Sequence, residues 1–77
     1  MACRVGMSTT PLSRIAYWKR KEGHTYSKIL ASGLTFKQAT RREMKEAESR
    51  ECTAHPGGKD NGRSNWSVYY VSGGTIR

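Results

Sequence analysis

The sequence predicts a small α+β domain, a three-stranded, mostly antiparallel sheet with two helices packed on it. Three observations lead there. Two short segments at the ends of the chain, residues 2–7 and 66–71, alternate in polarity with the period of a strand, and two central segments carry helix start and stop signals. The length, 77 residues with 35% hydrophobic content, suits one domain with a thin core. A chain this short buries only about 60% of its unfolded surface, so any site is expected to be shallow and open, and a large enzyme core is excluded.

The first strand follows from Cys3, Val5 and Met7 alternating with Arg4 and Gly6. A Ser-Thr-Thr-Pro turn then places Thr10 as N-cap and Pro11 at the first helical position. The first helix runs to about Glu22, with Gly23 as its stop and Lys19, Arg20 and Lys21 in the last turn, where cations suit the helix dipole. Leu12, Ile15 and Ala16, supported by Trp18, are expected to face inward. Tyr26, Ile29 and Leu30 suggest a second strand between His24 and Ala31, ended by Ser32-Gly33. Thr35 and Gln38 have capping-box spacing and open a second helix of about 15 residues. Its apolar positions, Phe36, Ala39, Met44 and Ala47, are few, so a narrow seam against the sheet is expected. Residues 53–65 are turn formers and charges without a period and read as a flexible loop. The last strand, 66–71, sets Trp66, Val68 and Tyr70 on one face and Ser67 and Tyr69 on the other. Residues 1–77 thus form a single domain.

Fourteen Lys and Arg against six Asp and Glu leave a net charge of +8, which makes polyanions the natural partners. No run of 18 apolar residues and no charged start followed by an apolar core occurs, so no membrane partner is expected and the cytoplasm is the expected compartment. There Cys3 and Cys52 would remain thiols. Cys52 and His55 stand in C-x-x-H spacing, and Cys3 and His24 could complete four zinc ligands; two idle thiols explain the same letters.

Gly6, Arg14 and Glu43 form the group with chemical interest. Arg14 follows the first strand closely enough for its guanidinium to reach a phosphate over the strand edge. Glu43 lies among arginines, where solvated ion pairs are the plain alternative.

In this order and spacing the chain resembles the GIY-YIG nucleases. Arg4-Val5-Gly6 stands where that family has Tyr-Ile-Gly, Arg14 lies eight residues past Gly6, and Leu34-Thr35 with Ala39-x-x-x-Glu43 echoes the entry to the family's glutamate helix. The resemblance covers residues 4 to about 47. The family's first strand, Gly-Ile-Tyr, has no upstream counterpart, but Ser67-Val68-Tyr69 has that pattern. Eleven residues separate Tyr69 from Arg4 if the termini are joined, as a circular permutation would have it. The last strand is then expected to pair antiparallel with the first and to supply Tyr69 from the polar face of the sheet.

The resemblance implies metal-dependent phosphodiester cleavage. Glu43 would hold a divalent Mg or Mn ion, Arg14 would neutralise charge on the phosphorus centre, and Tyr69 would act as base or orienter. Arg4 replaces the tyrosine that helps activate water, and arginine cannot act as a general base. Asn61 and Asn65 are candidates for the family's asparagine near the metal. Arg4, Lys19, Arg20, Lys21, Lys28, Arg41, Arg42 and Lys45 are candidates for nucleic-acid contacts, with Lys59 and Arg63 on an adaptable flap. Tyr17, Trp18 and Trp66 are candidates for base stacking, although packing is the more ordinary use of such rings.

The expected function is binding to the phosphate backbone of nucleic acid, DNA before RNA, with or without cleavage. The alternatives are a small basic phage-type protein that modulates a host enzyme by docking on its acidic surface, and a small ribonucleoprotein component.

Overall fold

A computed structural model describes residues 3–55, 59–60 and 62–73. The elements in chain order are β1 (Cys3–Ser8), α1 (Pro11–Glu22), β2 (Tyr26–Leu34), α2 (Phe36–Arg50), β3 (Thr53–His55) and β4 (Trp66–Ser72). They form a single mixed sheet of four strands in the order β2-β4-β1-β3. The expected three-stranded sheet is therefore one strand short. β4 pairs antiparallel with both β1 and β2, while β3 runs parallel to β1, with Arg4 opposite Thr53 and Gly6 opposite His55. The added strand lies in what reads as loop sequence. Three residues are too few to show a period, and their pairing partner is some fifty residues away in the chain, where local sequence gives no sign of it.

The antiparallel pairing of the first and last strands is as expected, in continuous register from Cys3 opposite Ser72 to Ser8 opposite Ser67. This places chain segments from the two ends side by side in the middle of the sheet. β2 continues past Ser32-Gly33, the expected stop. Gly33 takes a positive φ of 68°, and the register shifts twice between Ile29 and Leu34, so the chain bends through its bulges instead of leaving the sheet.

The two helices cover opposite faces. Successive residues of a strand point to opposite sides, and Val5, Met7, Trp66 and Val68 form one buried cluster with Ala39 and Ala47 of α2. Tyr69 and Val71 form the other with Ile15 and Trp18 of α1. Each helix is rotated away from its expected seating. On α1, Ile15 and Trp18 are buried, but Ala16 is exposed and Leu12 is 73% exposed. Trp18 sets this rotation, because its indole meets both Tyr69 and Arg4 on the sheet. On α2 the buried stripe is Ala39, Glu43 and Ala47, at exact four-residue steps, which brings a glutamate inward and leaves Met44 60% exposed. Two small residues flanking Glu43 let the helix approach the sheet closely.

The ends of α2 follow the sequence. Thr35 and Gln38 make the reciprocal capping box. At α1, Gly23 closes the helix in the left-handed region as expected, but Thr10 makes no side-chain cap. Instead Ser8 Oγ accepts the Thr10 N–H, which ties the end of β1 to the start of the helix.

Cys3 and Cys52 form a disulfide across 49 positions of sequence. This corrects the expectation of free thiols. β3 brings Thr53 beside Arg4, so the residues just before each, Cys52 and Cys3, are neighbours in space. With both sulfurs bonded to each other, the zinc set imagined for Cys3, Cys52, His24 and His55 loses two ligands. Among the described residues no group of three or more His, Cys, Asp and Glu side chains could hold a metal. No described helix is long and apolar enough to cross a membrane.

Candidate functional site

Gly6 and Tyr69 face each other across the β1–β4 pairing, on the side of the sheet covered by α1. The Tyr69 ring lies over Gly6, and a Cβ at that position would land on the phenol end of the ring. Only glycine permits this approach. The Tyr69 hydroxyl accepts a hydrogen bond from Trp18 Nε1 at 2.9 Å. Tyr69 is 1% exposed, which corrects its expected place on a polar face. The face it occupies became interior when α1 settled on it. Burial pushes the phenol pKa up, against the Trp18 hydrogen bond and the positive fields of Arg14 and Arg4.

Glu43 reaches the sheet from the other helix and is also 1% exposed. Its Oε2 has no hydrogen-bond partner among the described residues, and burial raises its pKa to about 7. This corrects the picture of Glu43 as one of a set of solvated ion pairs. The field of Glu43 adds to the upward shift of Tyr69, so the two groups lie within electrostatic reach of each other, as does Arg14. Of the three residues expected to act together, Arg14 alone is exposed to solvent.

Arg4 is engaged elsewhere. Its guanidinium stacks 4.1 Å above the Trp18 ring centroid and donates from Nε and Nη2 to Glu22 Oε1, at 3.1 and 2.8 Å. These bonds hold the Glu22 carboxyl below its ordinary pKa. The residue expected at a phosphate therefore fastens the end of α1 to β1. His24, buried next to this pair, has its Nε2 3.6 Å from the same Glu22 oxygen.

The remaining cations divide between the two faces. Lys19, Arg20 and Lys21 are exposed on α1, with Lys21 Nζ donating to the Tyr17 hydroxyl. Arg41, Arg42 and Lys45 are exposed on α2, where Arg42 and Arg50 both bond Glu46. Lys28 lies on edge strand β2. Lys59 and Arg63 are exposed between β3 and β4. The single rim expected from sequence is thus two basic surfaces with the sheet between them. Asn65 is exposed ahead of β4, and Asn61 lies outside the described residues. Trp18 and Trp66 are core residues, while Tyr17 is half-buried.

Arg14 and Arg20 do converge. Both line a cavity of about 520 Å³ where β1 ends and α1 begins. Ser8, Thr10 and Ser13 supply hydroxyls to it, and the rings of Tyr17 and Trp66 form part of its wall. Two arginines beside hydroxyl groups suit an anion with several oxygens, since arginine offers paired N–H groups; the Ser8 and Thr10 hydroxyls bond each other at 3.3 Å, which leaves the proton of one of them, with that of Ser13, to donate. The sequence does show these hydroxyls, in the run Ser8-Thr9-Thr10 followed by Ser13, but there they read as a turn and a cap. No protein-family model, curated protein or solved structure matches the chain.

Proposed function

We propose that the chain binds nucleic acid through its phosphate backbone, with the cavity at the head of α1 as the seat of a phosphate. The observation that carries this reading is the convergence of Arg14 and Arg20 with the hydroxyls of Ser8, Thr10 and Ser13 in one open cavity. The +8 charge supplies the long-range attraction. DNA is the first substrate to test, on the resemblance to GIY-YIG nucleases.

Binding without cleavage is the form of the proposal that the side chains support. A hard divalent ion takes about six oxygen ligands, and Glu43 is enclosed, half-protonated near neutral pH and reached by no second carboxylate in a metal-holding group among the described residues. These residues do not fit a resident Mg or Mn ion. Tyr69 is likewise enclosed and its proton is held more tightly than in a free phenol.

Fluorescence anisotropy with a labelled DNA duplex tests the reading. Replacing Arg14 and Arg20 together by Ala is expected to weaken binding about tenfold or more, since each charge-assisted contact contributes about 1.5–3 kcal/mol before screening. The log–log dependence of affinity on salt should fall by about 0.9 for each phosphate neutralised. Unchanged affinity in the double variant would remove the cavity from the interface. Incubation with Mg²⁺ or Mn²⁺ is expected to leave the DNA intact, and a cut that disappears in Glu43→Gln would restore the nuclease reading.

A further inference from the structure

A second cavity, of about 610 Å³, lies on the α2 side of the sheet. Phe36 and Met44 give it an apolar floor, Lys37 and Arg41 supply positive charge, and Thr40 a hydroxyl. Asp60 also lines it, and its carboxylate accepts the backbone N–H of Gly62 at 2.8 Å through Oδ1, so part of its negative charge is turned to its own loop. The two cavities are neighbours. Trp66 lines the first and Phe36 the second, and these two rings meet edge to face with centroids 5.0 Å apart. This ring contact is what links the two linings.

The linings differ in a way that selects a ligand. The first offers guanidiniums and hydroxyls and suits a phosphate. The second combines an aromatic ring and a thioether with flanking cations and suits a flat, apolar-faced group attached to an anionic backbone. A duplex keeps the faces of its bases stacked inside and could present only phosphates here. We propose that the ligand is an unpaired nucleic-acid strand, which sets a phosphate against Arg14 and Arg20 and lays a neighbouring base on Phe36 and Met44 around the end of the sheet. This rests on the phosphate seat proposed above and adds the strandedness of the ligand. The charge of the site supports the choice of occupant, since Lys37 and Arg41 have no ion-pair partner among the described ion pairs and a strand supplies phosphates on both sides of the base.

The test uses the full chain and three fluorescent probes of about twelve nucleotides, a length within the usual site size for single strands. These are oligothymidylate, an abasic strand of equal charge, and a hairpin duplex. Oligothymidylate is expected to bind about fivefold or more tightly than either of the others, because a stacked base contributes a factor of that size or larger. Phe36→Ala should remove this advantage and leave duplex binding within about twofold. Met44→Ser, at a position 60% exposed, should reduce the advantage in the same direction and guards against loss of structure in the first variant. Equal binding of the abasic strand, tighter binding of the duplex, or oligothymidylate affinity unchanged in both variants would overturn the proposal. Displacement of the strand by polyglutamate at equal charge concentration would overturn it too, in favour of an acidic peptide. Loss of duplex binding in Arg14→Ala without any effect of Phe36→Ala or Met44→Ser sinks this inference alone. If none of the three probes binds, the phosphate seat falls with it.

Discussion

Each face of the sheet buries a large side chain that carries a polar end, Tyr69 under α1 and Glu43 under α2, and the two ends are treated in opposite ways. On the α1 face the Tyr69 hydroxyl is met by Trp18 Nε1, and the same indole carries Arg4, which in turn bonds Glu22. Polar atoms there are joined in a chain of contacts that fixes how the helix lies. On the α2 face Glu43 Oε2 meets no donor among the described residues, and its surroundings are two alanines and an apolar cluster. That helix is seated by small residues and by a disulfide just past its C-terminus. The contrast shows two routes to a stable helix–sheet contact in a chain with few large apolar residues. One gives its buried tyrosine a hydrogen-bond partner, although the ring nitrogens of buried His24 have none among the described residues, and the other holds an unpartnered glutamate behind a covalent tie.

If the α2 face depends on that tie, reducing or replacing it should have the largest effect on stability. A cross-link spanning 49 positions stabilises by about 3–4 kcal/mol, mostly by restricting the unfolded chain. Cys3→Ser with Cys52→Ser is therefore expected to lower the urea midpoint and the Tm, with Tyr69 and Trp18 fluorescence changing in the same transition. A midpoint unmoved by the double variant would show that packing alone holds α2.

Next in size is Glu43. Its folded pKa, about 7, lies above the ordinary 4.5, so between those values the folded protein holds a proton that the unfolded chain releases. Its contribution favours folding most at and below pH 4.5 and declines as pH rises to about 7. Glu43→Gln should remove that decline and, relative to the difference at pH 4.5, gain about 3 kcal/mol over the parent at pH 8. Parallel stability–pH curves for the two proteins would mean that Glu43 is ionised and partnered when folded. The smallest effect belongs to the Tyr69–Trp18 contact. Tyr69→Phe removes a single hydrogen bond and should cost about 1–2 kcal/mol in chemical unfolding, independent of pH between 5 and 8. A larger loss would mean that the Trp18 contact organises the whole α1 face.

Much of this architecture is legible along the chain because it is written in local terms. Pro11 and Gly23 bound one helix, Thr35 and Gln38 open the other, and the alternation of Val5 and Met7, and of Trp66 and Val68, marks the two central strands. The antiparallel pairing of β1 with β4 is as expected, but its register, with Gly6 opposite Tyr69, is set by the fold. The identities of Arg14 and Glu43 as residues of interest are also legible, but their accessibility is not. Arg14 keeps its place at an open cavity, while Glu43 turned inward because Ala39 and Ala47 share its side of the helix at steps of four.

The helix boundaries, the capping box of α2 and the excess of positive charge need nothing beyond residues close in sequence, whereas the end of β2 answers to its neighbours in the fold and the start of α1 is tied to the end of β1. β3, the disulfide, the burial of Tyr69 and the division of the cations between two faces depend on contacts between residues tens of positions apart. Such contacts form only when two helices take opposite sides of one sheet. Solvent is excluded by that whole assembly, and it is the exclusion of solvent that raises the pKa of one buried carboxyl.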